Sequence, residues 1–330
     1  MPEVSIFYKD INNVLRKKSV NSDLQELDLS SLGIVSLNSG TFKELTNLKI
    51  LWLNGNNLAS LEEDVFEGLI NLERLYLYYN KLKELPEKIF NPLVSIKRLE
   101  LSMNQLLKLE ETLFNHCSKL EKIALDFNQL HTLPTNIFNG LVDLHTLVLS
   151  SNYFSSLPET IFYGLNKLKY LSLSFNSLGY LPKGMFATNK NLEELRLDNN
   201  PLKELDLTDF QNIPNFKKLD VLYCIALEKI TLEPVKENFE LIPDAKIDFS
   251  ASGLIHPLPV IIAKGLRAIV DYYTPQRSNF SSLAEIRMTF GIPTAEVQVD
   301  KCVLCKQPIL ERDRNVCKKC EEYYDNEFLL

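Results

Sequence analysis

Apolar and polar positions recur along this 330-residue chain with a period of 24. Phe42, Phe66, Phe90, Phe114, Phe138, Phe162, Phe186 and Phe210 form one column of the pattern, with no insertion between them. Leu29, Leu53, Leu77, Leu101, Leu125, Leu149, Leu173 and Leu197 form a second, and seven asparagines from Asn56 to Asn200 form a third. A fixed period of this length marks an array of stacked supersecondary units. Within one unit, Leu75-x-Leu77 alternates with period two. That predicts a short strand with its leucines facing inward and Tyr76 and Tyr78 facing outward. One such strand cannot bury its leucines alone, so neighbouring units are expected to stack as parallel strands over a shared core.

The asparagine follows the strand, where its side chain can pair backbone groups of a turn that would otherwise be buried without partners. The phenylalanine falls on the return path and is expected to pack as a spine under loops, turns and short 3₁₀ pieces. Leu32 and Cys224 take the asparagine position in the first and ninth units, and Ala245-x-Ile247-x-Phe249 suggests a last irregular strand. Deviations at the ends of an array are expected of capping units.

The clearest unit reads Leu72-x-x-Leu75-x-Leu77-x-x-Asn80-x-Leu82-x-x-Leu85-Pro86, followed by Phe90 and Leu93. It resembles the typical 24-residue leucine-rich repeat, and the resemblance covers residues 24 to about 232. It implies an α/β solenoid, a horseshoe with a parallel concave sheet, and residues 24–255 are assigned to the array. Apolar Ile6, Phe7, Ile11, Val14 and Leu15 recur at helical spacing opposite Lys9, Asp10, Arg16 and Lys17. Residues 1–23 are therefore expected to form a cap helix that shields the first strand. At the other end Pro257-Leu258-Pro259 precedes an apolar face of Ile261, Ile262, Leu266, Ile269 and Val270. A helical cap is expected over residues 256–299.

Four of the six cysteines fall in residues 300–330, as Cys302-x2-Cys305 and Cys317-x2-Cys320, before an acidic tail. Two knuckles of this kind supply the four thiolates of a closed tetrahedral site, so one structural zinc is expected there. A redox dithiol and a pair of disulfides are the competing readings. Cys117 occupies a column of leucines and reads as a small core residue.

The composition is 45% hydrophobic and 24% charged, with a net charge of −7. No apolar stretch approaches the ~18 residues of a membrane helix, and the first twenty residues carry charges without a continuous apolar core or a small-residue cleavage site. A cytoplasmic, reducing setting is expected, because neither end of the array at 24–255 carries a cysteine cluster that could form a disulfide-rich cap. Phosphate-binding loops, dinucleotide fingerprints, zinc-protease motifs and nucleophile elbows are missing and the four histidines are scattered, so no enzyme and no small-molecule substrate are expected. Lys301, Lys306, Arg312, Arg314, Lys318 and Lys319 are interspersed with Asp300, Glu311 and Asp313 in a chain that is acidic overall, which argues against nucleic acid as the partner.

About ten strands at ~4.8 Å spacing give a face on the order of 45 Å long, a size that suits a protein. Positions between the core leucines place Trp52, Tyr76, Tyr78, Tyr79, Met103, Phe127, Tyr170 and Phe175 on that face, with Arg74 and Arg98 among them. Folding does not ask for exposed aromatics, whereas binding hot spots are rich in them. Non-catalytic recognition of a protein on the concave face is the expected function. The chain also resembles the eukaryotic-like leucine-rich-repeat effectors that intracellular bacteria deliver by Dot/Icm-type type IV secretion, through its repeats and its acidic, apolar-ended tail (Glu321, Glu322, Phe328, Leu329, Leu330). That resemblance implies delivery into a host cell. An adaptor or subunit in ubiquitin ligation, using the zinc module, is the alternative.

Metal analysis of the full chain is expected to find one zinc per chain, lost when Cys302→Ser is combined with Cys317→Ser while the array stays folded. Absence of metal in freshly reduced protein would refute the assignment.

Overall fold

The structure is a computed structural model that describes residues 3–231, 245–248 and 252. The helical cap expected at 256–299 and the four cysteines Cys302, Cys305, Cys317 and Cys320 lie outside the described residues. The elements in chain order are β1 (Glu3–Lys9), β2 (Leu15–Asn21), β3 (Glu26–Asp28), β4 (Ser36–Leu37), β5 (Ile50–Trp52), β6 (Arg74–Tyr76), β7 (Arg98–Glu100) and β8 (Lys122–Ala124). They continue with β9 (Thr146–Val148), β10 (Tyr170–Ser172), β11 (Glu194–Arg196), β12 (Glu204–Asp206), a 3₁₀ turn at Asp209–Asn212, β13 (Lys218–Asp220), β14 (Lys229–Thr231) and β15 (Lys246–Asp248).

Ten of these strands form one parallel sheet in the order β3-β5-β6-β7-β8-β9-β10-β11-β13-β15. Register follows the period of the sequence: Leu51 pairs with Leu75, Leu75 with Leu99 and Leu147 with Leu171. A smaller parallel pair, β12 with β14, follows the same logic beside it. The mid-strand residue and the leucine two positions on are both buried in every unit from Leu27 and Leu29 to Leu195 and Leu197. Burial of each such side chain contributes about 1.5–3 kcal/mol relative to exposure, and stacked units share it.

The phenylalanines form the expected spine. Rings from Phe42 to Phe138 stack in sequence at 6.2–6.4 Å between centroids, and Phe162, Phe186 and Phe210 continue at 5.9 and 5.6 Å. Offset stacking of this kind adds to the area that the rings bury. The return path is built from turns and the single described 3₁₀ turn.

The asparagines link coil to coil. Asn80 Nδ2 donates to the carbonyls of Leu53 and Leu77 at 3.0 Å each, and its Oδ1 accepts from the Leu58 amide at 3.1 Å. Asn56, Asn104, Asn128, Asn152, Asn176 and Asn200 repeat the arrangement, so each side chain pairs two carbonyls and at least one amide. Cys224, in the same position, keeps one of these bonds through its thiol, 3.4 Å from the Leu197 carbonyl. Cys117 donates to the Phe90 carbonyl at 3.7 Å. Burial pushes the Cys117 thiol up to about 12 and the Cys224 thiol up to about 11, so both stay protonated at neutral pH.

The N-terminal cap is a β-hairpin, which corrects the expectation of a helix over residues 1–23. β1 and β2 pair antiparallel from Glu3↔Asn21 to Lys9↔Leu15, and β1 also pairs with β4. Val4 and Ile6 alternate into the core while Phe7, Ile11, Val14 and Leu15 stay exposed. The turn decides the outcome. Asp10 Oδ1 accepts from the amides of Asn12 and Val14 at 3.0 Å each, Arg16 Nε donates to Oδ2 at 2.7 Å, and Asn13 takes a positive φ of 60°. The Val14 amide and Arg16 hold the Asp10 carboxyl below the usual carboxylate range. A carboxylate that gathers turn amides competes directly with a helix. The cap closes on the array where Lys18 Nζ donates to the Asp28 carbonyl at 2.7 Å.

Asn128→Ala leaves the carbonyls of Leu101 and Leu125 and the amide of Leu106 without these partners. The expected loss of unfolding free energy in urea titration is about 3 kcal/mol. A loss below about 1 kcal/mol, the size of an ordinary exposed substitution, would show that the ladder does not carry the turn.

Candidate binding surface

Each three-residue strand sends its middle side chain into the core and its first and third outward onto the open face of the sheet. The third positions bring together Trp52 and Tyr76, whose rings stack at 5.9 Å with 4° between their planes. Tyr78 meets Tyr76 edge-on at 6.4 Å, and the Arg98 guanidinium lies over the Tyr76 ring, 5.7 Å from its centroid. The aromatic group sought in the sequence is therefore a packed stack. Trp52 and Tyr76 are half-buried, and Tyr78 is 37% exposed.

The first positions of β6, β7 and β8 are Arg74, Arg98 and Lys122, in direct register with one another. Arg98 Nε donates to Glu100 Oε1 at 2.6 Å and Lys122 Nζ approaches the same oxygen at 2.9 Å. The Glu100 side chain is only 10% exposed. Arg74 is exposed and makes no ion pair among the described residues. Further along, the Arg196 guanidinium covers Tyr170 at 5.6 Å while its Nε donates to Glu194 at 2.8 Å. That hydrogen bond is the main reason the Arg196 pKa is raised. Lys218 Nζ stands 3.7 Å from Glu194 and 3.4 Å from Asp220.

Between these groups the floor is recessed. Glu100, Ala124 and Ser172 are buried although their positions face outward; Glu100 lies under Arg98 and Lys122, and Ser172 is bonded to Ser150. The next column holds hydroxyls that sequence reasoning passed over. Ser102 donates to Asp126 at 2.5 Å, Ser150 and Ser172 share a bond of 2.5 Å, and Ser174 donates to Asp198. The recurrence of Ser and Asp at this position was the available signal.

Tyr79, Met103, Phe127 and Phe175 lie apart from the stack, in the turn that follows each strand. Their φ angles are 58°, 54°, 54° and 54°, and they are 65%, 46%, 53% and 55% exposed. Left-handed backbone costs a bulky residue on the order of 1 kcal/mol. Gly55 and Asn199 occupy the same turn in other units, so the turn itself does not require bulk. The sequence-derived set thus divides in three: Trp52, Tyr76, Tyr78, Arg74 and Arg98 cluster around β5 to β7, Tyr170 stands with Arg196 on β10 and β11, and the remaining four form an exposed row along one margin.

Along the other margin, Lys97 pairs with Glu73 at 3.0 Å, and Lys169 and Lys217 both pair with Glu193. The lysine bonds hold the carboxyls of Glu73 and Glu193 below their usual range. Among the histidines, His116 and His131 are exposed and His131 stacks on Tyr153 at 5.2 Å. Among the described residues, no three His, Cys, Asp or Glu side chains converge as metal ligands, and no helix is long and apolar enough to cross a membrane.

The leucine rich repeat profile matches in seven overlapping stretches: residues 22–82, 46–106, 70–130, 95–154, 118–178, 142–202 and 168–224. No relative is found among curated protein sequences. Solved structures that resemble the chain include the Drosophila Toll–Spatzle complex, at 24% identity and a TM-score of 0.53 over 71% of this chain and 37% of that one. A leucine-rich-repeat protein of Leptospira interrogans gives 29% identity and a TM-score of 0.49 over 68% and 60%. TLR13 in its complex with ssRNA13 gives 26% and 0.47 over 63% and 36%. The chain thus spans 36–60% of the length of these three structures. With the profile matched from residue 22 to 224 and the coils stacked in the register that profile implies, the chain belongs to the leucine-rich-repeat family.

Proposed function

We propose that the protein is a non-catalytic recognition module that holds a protein partner on the open face of its sheet, around Trp52, Tyr76 and Tyr78. The observation that carries this reading is the placement of the only tryptophan. It is half-buried and stacked on Tyr76 outside the core, where the fold is already complete without it. A rigid aromatic pair supplies contact area at little entropic cost, which is how anchor residues act in protein interfaces. The row Tyr79, Met103, Phe127 and Phe175 widens the same surface at its margin.

The absence of catalysis is part of the proposal, supported among the described residues by the Cys117 and Cys224 thiols, which burial holds protonated. The resemblance to secreted effectors would make the partner a host protein. The four-cysteine zinc module would stabilise the C-terminal region or add a second contact.

Trp52→Ala combined with Tyr76→Ala is expected to cost no more than about 2 kcal/mol of stability, since one aromatic pair is lost from a face that the core does not use. The same variant is expected to lose the partner that the native chain captures and that mass spectrometry identifies. Equal capture by the variant would place recognition elsewhere.

A further inference from the structure

Three cations stand side by side on the open face without a folding reason. Arg74, Arg98 and Lys122 are in register on adjacent strands, which are ~4.8 Å apart, and like charges directly across a sheet repel. Glu100 pairs with both Arg98 and Lys122, whereas Arg74 makes no ion pair among the described residues. Asp126, which accepts from Ser102 at the ends of the same strands, is the second carboxylate here, so three cations face two carboxylates and leave a small local surplus on a chain whose net charge is −7. The Trp52–Tyr76 stack borders this surplus directly.

The same face contains an internal control. Around Tyr170, the Arg196 guanidinium covers the ring as Arg98 covers Tyr76, at 5.6 and 5.7 Å. There the charges close: Arg196 and Lys218 face Glu194 and Asp220. The stacking of arginine on tyrosine is thus compatible with full compensation, and the surplus at β6 to β8 is a property of that place alone. Arg98 is also held in place, by the ring on one side and by Glu100 at Nε, and its terminal nitrogens have no hydrogen-bond partner among the described residues. A guanidinium held in this way loses little freedom when it takes a second carboxylate.

We infer that β5 to β8 form a site for an acidic segment of a protein partner, with carboxylates bound by Arg74 and Arg98 and an adjacent apolar side chain packed on the Trp52–Tyr76 stack. This rests on the recognition role proposed above and narrows it to a partner chemistry.

The full chain, immobilised, would be panned against a displayed library of random 12-residue peptides at low salt, in parallel with Arg74→Gln/Arg98→Gln, Arg196→Gln/Lys218→Gln and Trp52→Ala/Tyr76→Ala. All four proteins would first be shown to unfold at similar denaturant concentrations. The expected result is enrichment of peptides rich in Asp and Glu beside an aromatic or leucine. Their affinity should fall about tenfold or more on Arg74→Gln/Arg98→Gln and less than about twofold on Arg196→Gln/Lys218→Gln. Enrichment of neutral or basic peptides, or equal binding by Arg74→Gln/Arg98→Gln, overturns the acidic-partner inference. If those peptides still depend on Trp52 and Tyr76, the recognition role survives; if they depend on neither pair, both fall. Displacement of the peptides by single-stranded DNA at lower concentration than by free acidic peptide would assign the surface to nucleic acid and also overturn it.

Discussion

Every coil of this protein must turn out of a strand inside an apolar core, and the groups exposed by that turn have nowhere to find water. The asparagine column meets this constraint. One amide side chain pairs a carbonyl of its own coil, a carbonyl of the preceding coil and an amide of the preceding coil, with distances near 3 Å throughout. Burying such groups unpaired costs about 1–3 kcal/mol each, which a three-residue strand could not offset. The leucines and phenylalanines stack in register because the asparagines hold successive turns at a fixed distance. Cys224 shows the minimum requirement, a donor aimed at the Leu197 carbonyl, in a unit near the end of the described array.

A fold committed in this way leaves its open face free to vary. Strand residues on that side contribute little to the core, so charge and aromatic character can be set by something other than folding. The result is uneven. β5 to β8 gather an aromatic stack and an excess of cations over carboxylates, β9 and β10 are floored by short or hydroxylated side chains, and β11 and β13 carry paired charges. An even, solvated face would show no such zoning, and complementary charge is how interfaces select partners and speed encounter. The left-handed turns point the same way: Tyr79, Met103, Phe127 and Phe175 accept a strained backbone and exposure together.

The period of 24 made the stacked strands, the phenylalanine spine and the role of the asparagines legible before any coordinates, because all three depend on side chains that repeat. The cap was not legible in the same way. Ile6, Phe7, Ile11, Val14 and Leu15 mimic a helical stripe, yet the local decision belongs to Asp10 and the amides it gathers, which hydrophobic spacing does not register. Depth on the open face was also hidden. Alternation marks Glu100, Ala124 and Ser172 as outward, yet all three are buried, which depends on neighbours across strands that alternation does not register. The sequence pointed to Trp52, Tyr76 and Arg98 individually, whereas their arrangement as one stack with the guanidinium over the ring is a property of the register between strands.

Hydrogen exchange of the full chain with and without its captured protein partner tests the central claim most directly. The account predicts slowed exchange in the segments 50–55, 74–79, 98–103 and 122–127, with the return-path turns around Phe90 and Phe114 unchanged. Protection confined to the return path or to the hairpin at residues 3–21, with those four segments unaffected, would contradict it.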